Sequence, residues 1–172
     1  CFSMLASSIA YAAEPVTDEA GITSQDTGSV QEQQFSPWAV KDLLVGDTYG
    51  IYPMSWYEKS EGITSPIRSA QLRVLLAGIR NKLINSGCVV EGERIVPVIK
   101  SGMTVEEVIN AIYATLRSYM YIGDIGLGED DTAVSFMAEK GIFTGEEGQL
   151  SLSDICTIEQ ACVIATRTIT YI

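Results

Sequence analysis

Apolar residues recur at intervals of three and four positions over much of the chain, which is the spacing of one buried helix face. The longest such pattern comprises these positions: Ile67, Ala70, Val74, Leu75, Ile79, Leu83 and Ile84. The Ser-Pro pair at 65–66 is a typical helix start, and Gly87 is a typical stop. We therefore predict a long amphipathic helix over 65–84.

Two further helix starts carry a capping box, in which a hydroxyl and a side chain three positions later each accept a backbone N–H. Thr104 precedes Glu107 by three residues, and Thr157 precedes Gln160 by three. Apolar residues at helical spacing follow both boxes. The pattern predicts one helix from 104 to about 121 and another from 157 to about 169.

Two shorter helices are predicted from start and stop signals. The Ser-Pro pair at 36–37 favours a helix over 38–45, with Phe35 in contact with Val40. Residues 132–140 predict a second short helix that stops at Gly141.

Together these elements form repeated units, each a short helix, a Gly-Ile stop, a loop and a capped longer helix. Helix pairs of this kind bury their apolar faces only by stacking on one another. We predict a mainly α fold of stacked helix–loop–helix repeats in a small helical bundle, with one short β-hairpin near 88–96. The predicted units are about 35–86, 104–121 (partial) and 130–172.

The N-terminal region predicts export. Residues 1–12 carry no charge and end in Ala-Tyr-Ala, the small-residue pattern that a signal peptidase recognises, so they resemble the end of a secretory signal. The alternative is that Cys1 is the lipid-bearing first residue of a lipoprotein. Residues 13–34 are acidic without a basic residue, which predicts a disordered linker before a domain over 35–172. No later apolar run approaches the roughly 20 residues of a membrane span.

The amino-acid composition argues against several classes of function. The chain has 22 acidic and 11 basic residues, a net charge of −11, which disfavours a nucleic-acid partner because such partners bind basic surfaces. It contains no histidine, so neither a zinc site nor Ser-His or Cys-His catalysis is predicted. We predict no cofactor, no metal and no enzymatic activity. An envelope hydrolase with two distant carboxylates is the enzymatic alternative.

The cysteines and one group of acidic residues could in principle bind a metal or take part in redox chemistry, but we interpret both as having structural roles. Cys88, Cys156 and Cys162 are odd in number, so they cannot all pair within one chain, and Cys156 and Cys162 are expected to be small buried residues. The acids at 124 and 129–131 are interpreted as favouring the start of the following helix rather than as a calcium site. The chain ends at Ile172 within a predicted helix region, which suggests a further domain in a longer parent protein.

A family resemblance rests on residues 138–145, Ala-Glu-Lys-Gly-Ile-Phe-Thr-Gly, followed by 157–161, Thr-Ile-Glu-Gln-Ala. This order resembles the S-layer homology repeat of bacterial cell-surface proteins, whose units carry a Gly-Ile stop and a Thr-Arg-Ala-Glu helix start. The resemblance spans 35–172, with 85–103 as an insertion. It implies a three-pronged helical bundle that holds an exported protein on a secondary cell-wall polysaccharide.

The resemblance departs from the family at its sugar contact. In the family, the arginine of the Thr-Arg-Ala-Glu motif contacts the anionic sugar. The corresponding residues here are Ser69, Val105 and Ile158, none of which offers a guanidinium. The family's binding residues therefore do not carry over at this motif.

Basic residues are concentrated on one predicted helix: Arg68, Arg73, Arg80 and Lys82. Arg73 and Arg80 are seven residues apart and so share one helix face. They are candidates for a replacement anion site, and the alternative is a solvated face paired with nearby acids. Trp56, in an aromatic loop, is the candidate for stacking on a sugar, whereas Trp38 is expected in the core.

The leading hypothesis is an exported anchor or scaffold module of the cell envelope, secreted to the cell wall or cell surface, that binds a cell-wall polysaccharide. The alternative keeps the fold but makes the chain a protein-interaction or dimerisation module of a larger secreted protein. The net charge of −11 and the lost arginines favour the alternative, because an acidic surface repels anionic polymers.

Overall fold

The structure, a computed structural model, describes residues 35–58, 62–88, 95–119, 132–144 and 151–172, which all fall in one compact unit, Glu32–Ile172. Several predictions lie outside the described residues: the secretory signal, the linker over 13–34, the hairpin residues 89–94 and the acids at 124 and 129–131.

The described residues confirm a mainly helical bundle. Its helices are α1 (Val40–Tyr49), α2 (Ser69–Asn85), α3 (Val105–Arg117), α4 (Ala133–Glu139) and α5 (Ile158–Tyr171), with a 3-10 turn at Met54–Trp56. Within those ranges the only β pairing is two isolated bridges, Pro66 with Thr157 and Thr104 with Ile155. None of the described helices is both long and apolar enough to cross a membrane.

The first helix, α1, is displaced from its predicted bounds of 38–45. Its first turn is not helical, since the Ala39 N–H bonds the Ser36 carbonyl in a turn at 2.9 Å. The helix then runs past its predicted end at 45, through Gly46, to Tyr49, and Gly50 closes it with a φ of 61°. Gly46 is buried in the helix because its missing side chain lets α1 approach Tyr52 and Thr166 closely.

The start of α2 was predicted at 65–66, but the helix begins at Ser69. The preceding residues pair instead with the segment before α5: Ile158 N–H bonds the Ser65 carbonyl and Ile67 N–H bonds the Cys156 carbonyl, both at 2.9 Å. The stop at Gly87, with φ of 86°, is confirmed.

The buried face of α2 was predicted only in part. Its buried residues are Leu72, Leu75, Leu76, Ile79 and Leu83. The predicted core positions Val74 and Ile84 are 46% and 48% exposed, and Ala70 is also exposed. The prediction was wrong there because α2 is covered by the rest of the bundle on one face only.

Both predicted capping boxes are confirmed. Thr104 accepts the Glu107 N–H at 3.3 Å, and the Glu107 carboxylate accepts the Thr104 N–H at 3.0 Å. Thr157 and Gln160 exchange the same two bonds at 3.2 and 2.9 Å. Helix α3 ends four residues earlier than predicted, and α4 stops before Gly141, whose φ is 67°.

The three long helices, α2, α3 and α5, contact one another and form the centre of the bundle. The short helices pack outside them, α1 mainly on α5 and α4 on α3. Each short helix thus covers a long helix that belongs to a different predicted repeat unit. The remaining long helix is α2, and the described residues between α2 and α3 contain no helix that covers it in the same way.

Cys156 and Cys162 are buried as expected and carry free thiols, whereas Cys88 is half-buried against the core. Burial raises the pKa of Cys156 to about 12 and also raises that of Cys162. Both thiols therefore remain protonated at neutral pH and act as small core residues.

Candidate functional site: the α2–α3 cleft

A cleft of about 240 Å³ lies between α2 and α3, on the side of α2 where no short helix packs. We call it the α2–α3 cleft. Helix α2 lines it with Arg73, Leu76, Ala77 and Arg80. Helix α3 contributes Thr115, and the turn after α3 contributes Ser118 and Tyr119. Residues 95–99, here called the strap, run across it and contribute Ile95, Val96, Pro97 and Ile99.

Arg73 and Arg80 meet at this cleft because of their helical spacing. Seven residues are nearly two turns, so the two side chains leave α2 within about 20° of each other and about 10 Å apart along its axis. Leu76 and Ala77 lie between them on the same face. The prediction that these two arginines share one face is confirmed, and both line the cleft.

Arg80 is the more buried of the pair. Its Nε is buried and has no hydrogen-bond partner among the described residues. A buried donor without an acceptor costs free energy, and a bound ligand or water supplies the acceptor in many proteins. In the described ranges no carboxylate forms an ion pair with either Arg73 or Arg80.

Ser118 attaches the strap to α3. Its hydroxyl accepts the Ile95 N–H at 3.0 Å, and it lies 3.2 Å from the Ile95 carbonyl and 2.9 Å from the Ala114 carbonyl. The Thr115 hydroxyl donates to the Ala111 carbonyl at 2.9 Å. Both hydroxyls are therefore engaged within the protein, and the two arginines supply the charge of the cleft.

The other two basic residues lie elsewhere. Lys82 projects about half a turn away from Arg73, and its ammonium lies 5.8 Å from the centre of the Tyr49 ring. Arg68 is exposed at the start of α2, where its N–H bonds the Gln71 side chain at 3.0 Å and Gly102 lies nearby. The predicted four-residue cluster is thus divided, and only two members reach the cleft.

The prediction that Trp56 stacks on a sugar is wrong. Trp56 is only 4% exposed and stacks on Tyr52, with ring centres 5.9 Å apart. Tyr52 in turn bonds the Leu43 carbonyl and accepts from Tyr57. Burial raises the pKa of both tyrosines. The aromatic loop is therefore part of the core, and Trp38 is packed against that core as expected.

The positions that correspond to the family arginine are also mostly internal. Val105 is fully buried and Ile158 is 5% exposed, while Ser69 is half-buried. Two of the three positions therefore lack both the charge and the access that a sugar contact requires.

Sequence reasoning did not identify the strap, Thr115, Ser118 or Tyr119 as parts of a site. These residues join the arginines only through tertiary contacts between segments at least fifteen residues apart. A usable signal was the apolar run at 95–99 directly before the insertion ends, which is too short for a helix and rich in β-branched residues.

A second apolar surface lies on α1. Leu44 and Met54 are each 63% exposed and Val40 is 40% exposed, and all three border a shallow cavity with Phe35 and Tyr57.

Within the described residues, no group of three metal-binding side chains is present.

Comparison of the chain with protein-family models, with curated proteins and with solved structures found no match.

Proposed function

We propose that this chain is an exported, non-catalytic anchor or scaffold module of the cell envelope, and that an anionic partner binds in the α2–α3 cleft. The observation that carries the proposal is the pair of guanidinium groups, Arg73 and Arg80, at one cleft without a carboxylate partner in the described residues. In a chain of net charge −11, two such arginines are a distinct local site for an anion.

Two partners are compatible with this function. The resemblance to S-layer homology repeats favours a cell-wall polysaccharide. The alternative, an envelope protein, is favoured by the exposed apolar residues of the strap, of which Val96 is 79% and Val98 is 83% exposed. Exposed apolar residues beside charged ones are typical of protein interfaces.

The test is a pull-down of the full chain on purified cell envelopes, comparing the parent with Arg73→Ala/Arg80→Ala. Each well-aligned guanidinium contact contributes about 1.5–3 kcal/mol, whereas a solvated surface charge contributes about 0–1 kcal/mol. The double variant should therefore bind at least about tenfold more weakly. Its helical circular dichroism should stay unchanged, because neither arginine is fully buried.

Lys82→Ala is the matched control, since it removes a basic residue of the same helix outside the cleft. Equal retention of the parent and the double variant would contradict the proposal. Loss of retention after polymer extraction indicates a polysaccharide, and loss after protease treatment of the envelopes indicates a protein.

A further inference from the structure

The α2–α3 cleft differs from a polysaccharide site in its wall chemistry. Four strap residues and two α2 residues, Leu76 and Ala77, make its walls mostly apolar. The Thr115 and Ser118 hydroxyls already bond carbonyls of the protein. A sugar presents hydroxyl groups over most of its surface, and these would be desolvated here with few partners to replace water.

The strap also has unused backbone groups. The Ile95 N–H and carbonyl bond Ser118, but from Val96 to Lys100 no backbone group bonds another backbone group in the described part of the chain. Pro97 lacks an N–H, so the available donors lie on its neighbours. An extended peptide satisfies such groups by pairing along them, as at the open edge of a sheet.

The positive charge of the two arginines determines which kind of ligand the cleft can bind. Arg73 and Arg80 lie about 10 Å apart along α2 and face the strap, so carboxylates of one short segment can reach both. A long polyanion would meet the remaining acidic surface of a chain with net charge −11 and be repelled by it. A short acidic segment avoids that repulsion.

We propose that the α2–α3 cleft binds an extended protein segment in which acidic residues alternate with apolar ones. Its carboxylates pair with the guanidinium groups of Arg80 and Arg73, which line the cleft. Its apolar side chains contact Leu76, Ala77 and the exposed Val96, and its backbone pairs with the strap. This inference rests on the proposed function and identifies the class of its partner.

The probe is a synthetic capped peptide of alternating glutamate and valine, titrated into the full chain. Two matched probes accompany it: the same peptide with glutamine for glutamate, and oligogalacturonate as a carboxylated glycan. We expect the acidic peptide to bind and Arg80→Gln to weaken binding roughly tenfold or more. The glutamine peptide should lose a similar factor, and Lys82→Gln should change binding less than about twofold.

Amide hydrogen exchange distinguishes strap pairing from simple charge attraction. Bound peptide should slow the exchange of the Val96 and Val98 amides, while Arg80→Gln and Arg73→Gln each remove that protection. Three results overturn the inference: oligogalacturonate binds through Arg80 as tightly as the peptide, peptide binding is indifferent to Arg80→Gln, or both valine amides exchange at unchanged rates.

The two proposals fail separately. Envelope retention that depends on Arg73 and Arg80, together with glycan binding in the cleft, overturns the peptide inference and supports the proposed function. Peptide binding without retention on envelopes supports the peptide inference and contradicts the anchoring role.

Discussion

Arginine has different roles in two regions of the molecule: the contact between α1 and α5, here called the α1–α5 junction, and the α2–α3 cleft. At the junction, Arg167 of α5 is largely buried and bonds Asp42 of α1, with its Nε at 3.0 Å and its Nη2 at 2.8 Å from one carboxylate oxygen. At the cleft, the buried Nε of Arg80 has no partner among the described residues. The first arginine holds two helices together, whereas the second lines an open cleft.

The junction and the cleft also differ in how closely their residues pack. At the junction, Gly46 brings the α1 backbone against Thr166 and Tyr52, so that no space remains. At the cleft, a non-helical strap lies where the packing of α1 and α4 suggests a short helix, and about 240 Å³ stays open. Among the described residues, short helices therefore cover two of the long helices, α5 and α3, and none covers α2 in the same way.

The largest expected effect comes from adding side-chain volume in each region. In Gly46→Val the new carbons overlap the Tyr52 and Thr166 hydroxyls, so we expect destabilisation of about 3 kcal/mol or more. The matched change Ala77→Val projects into the cleft and should cost less than about 1 kcal/mol. Urea unfolding of both variants measures the difference. Similar losses of unfolding free energy would show that the cleft is as closely packed as the junction.

A smaller effect is expected from removing the two arginines. Arg167→Ala strands the Asp42 carboxylate at a part-buried position, and we expect a loss of about 2 kcal/mol in the free energy of unfolding. Arg80→Ala removes a guanidinium without a carboxylate partner in the described residues and should change stability by less than about 0.5 kcal/mol.

A double-mutant cycle with Asp42→Ala provides the control for this comparison. Coupling should appear between Asp42 and Arg167 and be absent between Asp42 and Arg80, because only the first pair is in contact. If Arg80→Ala destabilised the fold as much as Arg167→Ala, the cleft arginine would be a structural residue.

Local signals accounted for the parts of this fold that sequence could predict. The boxes at Thr104 and Thr157 and the stop at Gly141 depend on residues within four positions, and each is confirmed. The shared face of Arg73 and Arg80 likewise follows from helical spacing alone.

The predictions failed where contacts between distant segments of the chain determine the structure. Helix α1 was predicted to end at 45, but it continues to Tyr49 where Gly46 packs closely on Thr166, far along the chain. Trp56 resembled an exposed loop aromatic, although it is buried in a core built from segments far apart in the chain. The bond from Ile95 to Ser118, which shapes the cleft, joins residues 23 apart, and no local pattern predicts it.

The most direct test of the account is a side-chain NMR spectrum of the arginine Nε–H groups, recorded as the acidic peptide is added. Substitutions to lysine assign the Arg80 and Arg167 signals. We predict that the Arg80 signal shifts on titration while the Arg167 signal, already bonded to Asp42, stays in place. A stationary Arg80 signal with bound peptide, or a shift at Arg167 alone, would contradict the assignment of the α2–α3 cleft as the binding site.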